Sequence, residues 1–459
     1  MSKNNSSFGR LNVLKLLAER DGQVCFLGVG GVSMSSLLSL STYFGVRTAG
    51  FDRSDGEFIK ELVASGACVK IGEGELPPDT KLLVYTLAID ESDPIIRAAE
   101  ERKIPCVSRA EYMSALADAY KTKIAVSGSH GKSTVTAMLH SIFYSAGLNP
   151  TTLSGARLAC NCPAYHVGSL DYFIYEACEY KDSFLAFEPT LALFLNLEYD
   201  HVDYFESVEH LEESFLRAAR KSGLAIINVD DGKLRKISQK LYTPPITVSK
   251  NADSEYRYEP FYDSDSRLSA RFFKKESYLG DITLNIIGEF NVLNAAMACV
   301  AALECGIDFM TCQRALLSFR GIPTRLERKG VWRGREVYFD YAHHPTEIKE
   351  GIKAIKNYTG NDLTVIFGPH TFSRTKALMD DFVSSLSCAD NLFITEIDAV
   401  REEKDESITS SLLADRTNGT VIHTASELEY ELSKSTGAIA VMGAADLGWV
   451  KKIFFEKKC

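Results

Sequence analysis

Short blocks of consecutive apolar residues recur along the chain, each closed by glycine or polar residues and most followed by apolar positions at helical spacing. Strand-then-helix alternation of this kind predicts parallel sheets covered by helices. Leucines at helical spacing run from Phe8 to Arg20, and QVCFLGVGG, from Gln23 to Gly31, then reads as a buried strand entering a glycine turn. VSMSSLLSLSTYFG follows as a helix. VRTAGFD, LLVYTLAI (82–89) and IPCV (104–107) continue the pattern, so a first open parallel sheet is expected to end near residue 110.

A second run opens with IAVSGSHGKSTVTAML, Ile124 to Leu139, and continues through the apolar blocks DYFIYEAC (171–178), TLALFLN (190–196) and GLAIINVD (223–230). From Pro244 to Ile287 short strand-like runs alternate with turns, which predicts an antiparallel addition, and GEFNVLNAAMACVAALECG (288–306) predicts a helix. After the linker-like Arg320–Arg325 the alternation resumes in VYFDYAHHP, TEIKEGIKAIK, LTVIFGPH, TKALMDDFVSSL, NLFITEI, a helix near 426–434 and AIAVMGAAD. The expected architecture is α/β with three domains, 1–110, 111–320 and 321–459. Glu402 to Glu406 reads as a solvated loop.

The segment 124–139 carries the first chemistry. A strand, a glycine-bearing loop and a helix in immediate succession leave the first helical N–H groups without partners and aimed at the loop, an anion site reinforced by the helix dipole. Val126 stands where the strict phosphate-loop pattern has its first glycine, but Gly128 and Gly131 keep the loop and Lys132 is placed to reach the outer phosphates of a nucleotide. The Ser133 hydroxyl is placed to meet magnesium.

Ligand crevices in such sheets lie at the carboxyl ends of strands. Glu176, Glu179, Asn196, Asp200 and His201 end apolar blocks and are expected to project toward the phosphate loop. A glutamate embedded in an apolar strand end is costly unless paired or bound to metal, which marks Glu176 as a magnesium candidate against a structural ion pair. Gly28, Gly30 and Gly31 occupy a dinucleotide-type turn, and Asp52 stands where a ribose-binding acid or a plain turn aspartate would. Asn291 and Asn294 either cap a helix or meet an adenine edge. In the last domain the strand ends supply Asp340, His343, His344, His370 and Arg374, and Arg374 could hold a carboxylate bidentately.

Composition narrows the class. The 459 residues are 45% apolar and 24% charged, too many for one core and ordinary for a globular protein. A net charge of -10 argues against nucleic acid or an anionic membrane as the main partner. No run resembles a signal peptide or a membrane helix, and the eleven cysteines are scattered, with Cys160-Asn161-Cys162 as the one close pair; a cytoplasmic location with reduced thiols and no structural zinc is expected. A phosphate loop flanked by two further sheets suits an ATP-dependent ligase that activates a carboxylate by phosphoryl transfer and lets an amine attack the acyl phosphate.

The blocks FLGVGGVSM, GSHGKST, EACEYKDSFL, LNLEYDHVDYF, GEFNVLNA, DYAHHPTEIK, FGPHTFSRTKALMDDF and VMGAAD occur in the order of a known family, and the chain resembles the Mur ligases nearly end to end. The resemblance implies a Rossmann-like N-terminal domain for a UDP-sugar, a central P-loop-type ATPase sheet with antiparallel addition, and a Rossmann-like C-terminal domain for the amino acid. Within the family it points to the branch that joins L-alanine to UDP-N-acetylmuramate in peptidoglycan precursor synthesis, against a ligase of recycled peptide or a silent nucleotide-binding relative. It implies ATP and Mg2+, with Gly128, Ser129, His130, Gly131, Lys132, Ser133 and Thr134 around the phosphates. Ser133 with Glu176 would hold one magnesium and His201 would help hold a second. Asn291, Asn294, Arg325, Asp340 and His344 would lie on the nucleotide side, and His370 with Arg374 on the amino-acid side. Gly28, Gly30 and Gly31, with Asp52, would take the UDP-sugar, which replaces the dinucleotide reading of that turn. Ser33, Ser36, Thr324, Phe339 and Ala445 depart from the family pattern.

Overall fold

The computed structural model describes Val13, Lys15 and residues 22–455 except 73, 160, 161, 203, 361, 400 and 401. The helix expected over Phe8–Arg20 lies outside them apart from Val13 and Lys15, and so does half of the Cys160/Cys162 pair. The nine described cysteines are all unbridged. Among the described residues no helix is long and apolar enough to cross a membrane.

The chain forms two compact units. One comprises the described residues up to Leu197 with Glu212–Tyr256 and Met297–Cys312; the other comprises Glu198–Leu211, Arg257–Ala296 and Gln313 onward. The first unit opens with five parallel strands in the spatial order Cys68–Ile71, Thr48–Asp52, Gln23–Leu27, Thr80–Tyr85, Cys106–Ser108. The inner strands are buried on both faces, so they read as unbroken apolar blocks. Cys68–Ile71 is a largely exposed edge, which is why hydrophobic pattern alone misses it.

The second sheet is mixed. In the first unit its strands run Ile246–Ser249, Leu224–Asn228, Leu191–Phe194, Thr122–Ser127, Ser169–Glu176, Pro150–Leu153, all parallel, with Tyr165–His166 antiparallel at the edge. After Thr122–Ser127 the chain passes through helix Lys132–Ser145 to Pro150–Leu153 on one side, while Leu191–Phe194 lies on the other. The carboxyl end of Thr122–Ser127 is therefore a topological switch point, the usual place for a ligand in an open α/β sheet. In the second unit Leu268–Lys274 and Ser277–Thr283 pair antiparallel, as the strand-and-turn alternation of 244–287 predicts.

The third sheet has the order Glu327–Trp332, Arg335–Asp340, Ala438–Met442, Leu363–Phe367, Asn391–Ile394, Thr420–Val421. Helix Pro345–Thr359 packs Ile348, Ile352 and Ile355 on one face, and Leu428, Leu432 and Val450 cover the other. Two features depart from the expected all-parallel sheet and single helices. Arg333 and Gly334, both at positive φ, turn Glu327–Trp332 back antiparallel on Arg335–Asp340 as a two-residue hairpin. The helix expected over TKALMDDFVSSL breaks at Leu378 into Phe372–Ala377 and Met379–Leu386.

Candidate functional site

Three clusters gather the residues singled out by sequence. At the first glycine turn, Gly28 holds φ +91° and the Gly30 N–H donates to Asp52 Oδ2 at 2.7 Å. A Cβ on Gly30 would stand 2.9 Å from that oxygen, so the close approach requires glycine. Asp52 thus braces the turn from behind, accepting also from the Ser54 N–H. Helix Val32–Tyr43 starts at once with no side-chain cap and no acid in its first turn. Of the two serines that depart from the family pattern, Ser36 turns its hydroxyl onto the Val32 carbonyl at 2.7 Å, and Ser33 accepts from Arg109 Nη1 at 2.9 Å.

The strand, glycine loop and helix at 122–145 form as read. Val126 stays in the strand, and Gly128 supplies the close approach instead: at φ +148°, a Cβ there would lie 2.9 Å from Leu195 Cβ. Gly131 at φ +86° is the left-handed residue that starts the helix. Asn196 braces the loop, accepting the His130 N–H at 2.7 Å and donating to the His130 carbonyl at 3.1 Å, while its own carbonyl takes the Ser129 N–H at 3.2 Å. Lys132 folds back over the loop, donating to the carbonyls of Gly128 and Ser129 and to both oxygens of Glu179, at 3.0 Å and 3.2 Å. Burial works against the ammonium charge, but Glu179 beside it outweighs that and holds the pKa above the ordinary lysine value. Ser133 is buried at the first helical turn, with Thr134 next to it. Glu176 Oε1 accepts from Ser154 Oγ at 2.8 Å and from the Gly155 N–H.

In the second unit Arg374 turns Nε and Nη2, each at 3.2 Å, onto Asp200 Oδ1. Burial alone would raise the Asp200 pKa; Arg374, His201 and His343 together with the His201 N–H, donated at 2.7 Å, hold it far below the usual carboxylate range. His343 is pushed down to about 4, by burial first and by the Arg374 charge, against the pull of Glu347. His344 caps helix Pro345–Thr359, its Nδ1 accepting the Thr346 N–H at 3.4 Å and lying 3.3 Å from Glu198 Oε2. Burial raises Asp340 to about 7 although Arg325 opposes the shift. Arg325 itself lies over the Tyr341 ring, 4.9 Å from its centroid. The backbone at His370 pairs in parallel with that at Asp398, and Thr371 at φ +68° leads from it into the short helix that presents Arg374.

Two readings need correction or completion. Asn291 and Asn294 do not cap their helix: Asn291 Nδ2 donates to the Ile287 carbonyl at 2.7 Å and Asn291 Oδ1 accepts from Asn294 Nδ2 at 2.9 Å, because Phe290 already begins the helix and the amide faces the preceding turn. Glu179 and Asp200 turn out to be the partners of the two cations, and Arg109 went unremarked. The blocks EACEYKDSFL and LNLEYDHVDYF carry the first two; nothing local announces Arg109.

Three family models match in sequence: "Mur ligase family, catalytic domain" over 23–121, "Mur ligase middle domain" over 126–302 and "Mur ligase, glutamate ligase domain" over 324–445. The UDP-N-acetylmuramate–L-alanine ligase of Clostridium novyi (strain NT) is 36% identical over 454 residues, covering 96% of this chain and 99% of its own. That of Caldicellulosiruptor bescii is 37% identical over 399 residues, 84% of this chain and 86% of its own. The crystal structure of the UDP-N-acetylmuramate-alanine ligase of Thermotoga maritima superposes with a TM-score of 0.80 at 23% identity, covering 94% of this chain and 97% of that one. A murein peptide ligase from Psychrobacter arcticus gives 0.70 at 22%, covering 94% and 98%.

Proposed function

The chain belongs to the Mur ligase family, and from that premise we propose that it joins L-alanine to the carboxylate of UDP-N-acetylmuramate at the expense of ATP. The observation that carries the reading is the end-to-end match to the Clostridium novyi L-alanine ligase. A carboxylate oxygen of the sugar nucleotide attacks the γ-phosphorus and ADP departs; the alanine nitrogen then attacks the acyl phosphate carbon, phosphate leaves and the nitrogen loses its proton.

The residues supply positioning and charge. The loop carbonyls of Gly128 and Ser129 and the Glu179 carboxylate hold the Lys132 ammonium in place, and arriving phosphate oxygens would exchange with the carbonyls. Loop N–H groups and the start of helix Lys132–Ser145 receive the same phosphates. The donor chemistry fits Mg2+: the Ser133 hydroxyl and Glu176 are hard oxygen ligands, and both hydrogen bonds to Glu176 fall on Oε1, leaving Oε2 to a cation. Bound there, the ion would neutralise phosphate charge; His201 is assigned to a second ion. Asn291, Asn294, Arg325, Asp340 and His344 are assigned to the nucleotide, His370 and Arg374 to the amino acid, and Gly28, Gly30, Gly31 and Asp52 to the sugar nucleotide. Three domains, at 1–110, 111–320 and 321–459, are proposed; three sheets and three matched segments support their number. A cytoplasmic location goes with the unbridged cysteines.

The test is phosphate release from ATP and Mg2+ with UDP-N-acetylmuramate, comparing no acceptor, L-alanine, glycine, L-serine and a recycled tripeptide. Turnover that depends on L-alanine is the expected result. Turnover with the tripeptide alone would move the chain to the peptide-recycling branch.

A further inference from the structure

Arginines in this molecule divide by how their guanidinium forks are used. Arg335 donates to the carbonyls of Gly437 at 2.6 Å, Leu432 at 3.0 Å and Thr436 at 3.0 Å and to Thr364 Oγ1 at 2.8 Å, a structural cross-link. Arg102 ties down the carbonyls of Leu76, Pro77 and Pro78. Arg109, at the start of helix Arg109–Ala117, is different: its one hydrogen bond among the described residues runs from Nη1 to Ser33 Oγ at 2.9 Å. Among the described residues no carboxylate pairs with it; burial works against its charge, and Glu176 supports that charge from farther off.

A guanidinium cannot shed its proton to escape burial, so a half-buried arginine with one neutral partner and donors left open among the described residues calls for an anion. The position of its anchor says which. Ser33 lies in the first turn of helix Val32–Tyr43, directly after the glycine turn, where the N–H groups of Val32, Ser33 and Met34 have no acceptor within the helix and no acid balances the dipole. Asp52 is engaged behind the turn with Gly30. Fixed donors of the helix end and an orientable fork beside them match a group with two linked phosphates. Ser33 also stands where the family pattern has glycine, so its hydroxyl gives Arg109 an acceptor that glycine would not.

We propose that Arg109, held in position by the Ser33 hydroxyl, binds the diphosphate of the nucleotide-sugar substrate. The assignment rests on the sugar-nucleotide reading of the glycine turn. Arg109 is the contact and Ser33 the positioning residue.

The experiment is calorimetric titration of the full chain with UDP, UMP and, separately, ATP with Mg2+, for wild type, Arg109→Ala, Arg109→Lys, Ser33→Ala and Ser33→Thr. Arg109→Ala is expected to weaken UDP about tenfold or more and UMP less, with ATP affinity unchanged within about twofold as proof of folding. Arg109→Lys should recover part of the loss, since it restores charge but not the fork. Ser33→Ala should weaken UDP about threefold and raise KM for UDP-N-acetylmuramate without changing kcat, and Ser33→Thr should restore both. Unchanged UDP affinity in Arg109→Ala overturns the proposal, and so does an equal loss of UDP and ATP, which would make Arg109 structural. Wild type that binds UDP but does not turn over with L-alanine would sink the ligase reading while leaving the binding comparison to decide Arg109.

Discussion

Lys132 and Glu179 form a buried ion pair across the phosphate loop, with Nζ 3.0 Å from Oε2, although 47 residues separate them. A pair of this kind is costly to break from one side, since the remaining charge stays buried alone. Glu179→Ala is expected to destabilise the first unit by about 3 kcal/mol in chemical denaturation. Lys132→Ala should lower kcat/KM at least about 100-fold, by the loss of a charged contact to the transferring phosphoryl group. Wild-type turnover by Lys132→Ala would remove the loop from the mechanism.

Arg374 and Asp200 hold each other in the second unit, with Nη2 3.2 Å from Oδ1. On the role proposed for Arg374, an incoming amino-acid carboxylate would compete with Asp200 for the same fork. Arg374→Ala should therefore raise KM for L-alanine about tenfold or more and leave KM for ATP nearly unchanged, read from phosphate release at varied L-alanine. The double variant with Asp200→Asn should show non-additive loss of about 1 to 3 kcal/mol. Strict additivity would mean that the two side chains act separately.

Gly128 carries two constraints at once, its φ of +148° and the 2.9 Å approach of any Cβ to Leu195. Gly128→Ala is expected to cost about 2 kcal/mol or more and to weaken ATP, whereas Gly147→Ala, with φ +76° but open space around it, should leave ATP affinity alone. Equal ATP binding by both variants would show that the loop tolerates the side chain.

His140, on helix Lys132–Ser145, meets Thr152 Oγ1 at 2.9 Å and packs on His166 with ring centres 4.9 Å apart. Burial first, then His166, pushes its pKa down to about 4 from 6.5. Between those values the unfolded chain takes up a proton that the folded chain refuses, so stability falls as pH drops through the window and is fully present above it. The His140 share of that fall is at most about 3 kcal/mol. Urea midpoints at pH 7.5, 5.5 and 4.5 should decline more steeply for wild type than for His140→Gln; parallel curves would contradict the burial argument.

Arg335 spans the carbonyls that end helix Ala425–Lys434 and the strand residue Thr364. Its replacement by alanine leaves several buried acceptors unpaired, and a loss of about 3 kcal/mol is expected without change in KM for any substrate. Lysine should rescue little, having no planar fork to reach acceptors on several sides.

Strand, loop and helix at 122–145 were legible because each is a local decision: a consecutive apolar block, then Gly128 and Gly131, which take backbone angles other residues avoid, then apolar positions at helical spacing. The same holds for most inner strands of the three sheets. What escaped were Cys68–Ile71 and Thr420–Val421, short edges with little buried face, and the hairpin at Arg333-Gly334, whose turn lacks the commonest asparagine-glycine pair.

Sequence by itself determined the α/β alternation, the strand, glycine loop and helix at 122–145, the family and the residue types at the strand ends, because backbone preference and apolar pattern act over a few neighbouring positions. Only the tertiary structure decided the partners: Glu179 for Lys132, Asp200 for Arg374 across 174 residues, and Ser33 for Arg109 across 76. A buried charge or an open donor takes whichever group the packed sheets bring within about 3 Å, and no local pattern encodes that choice.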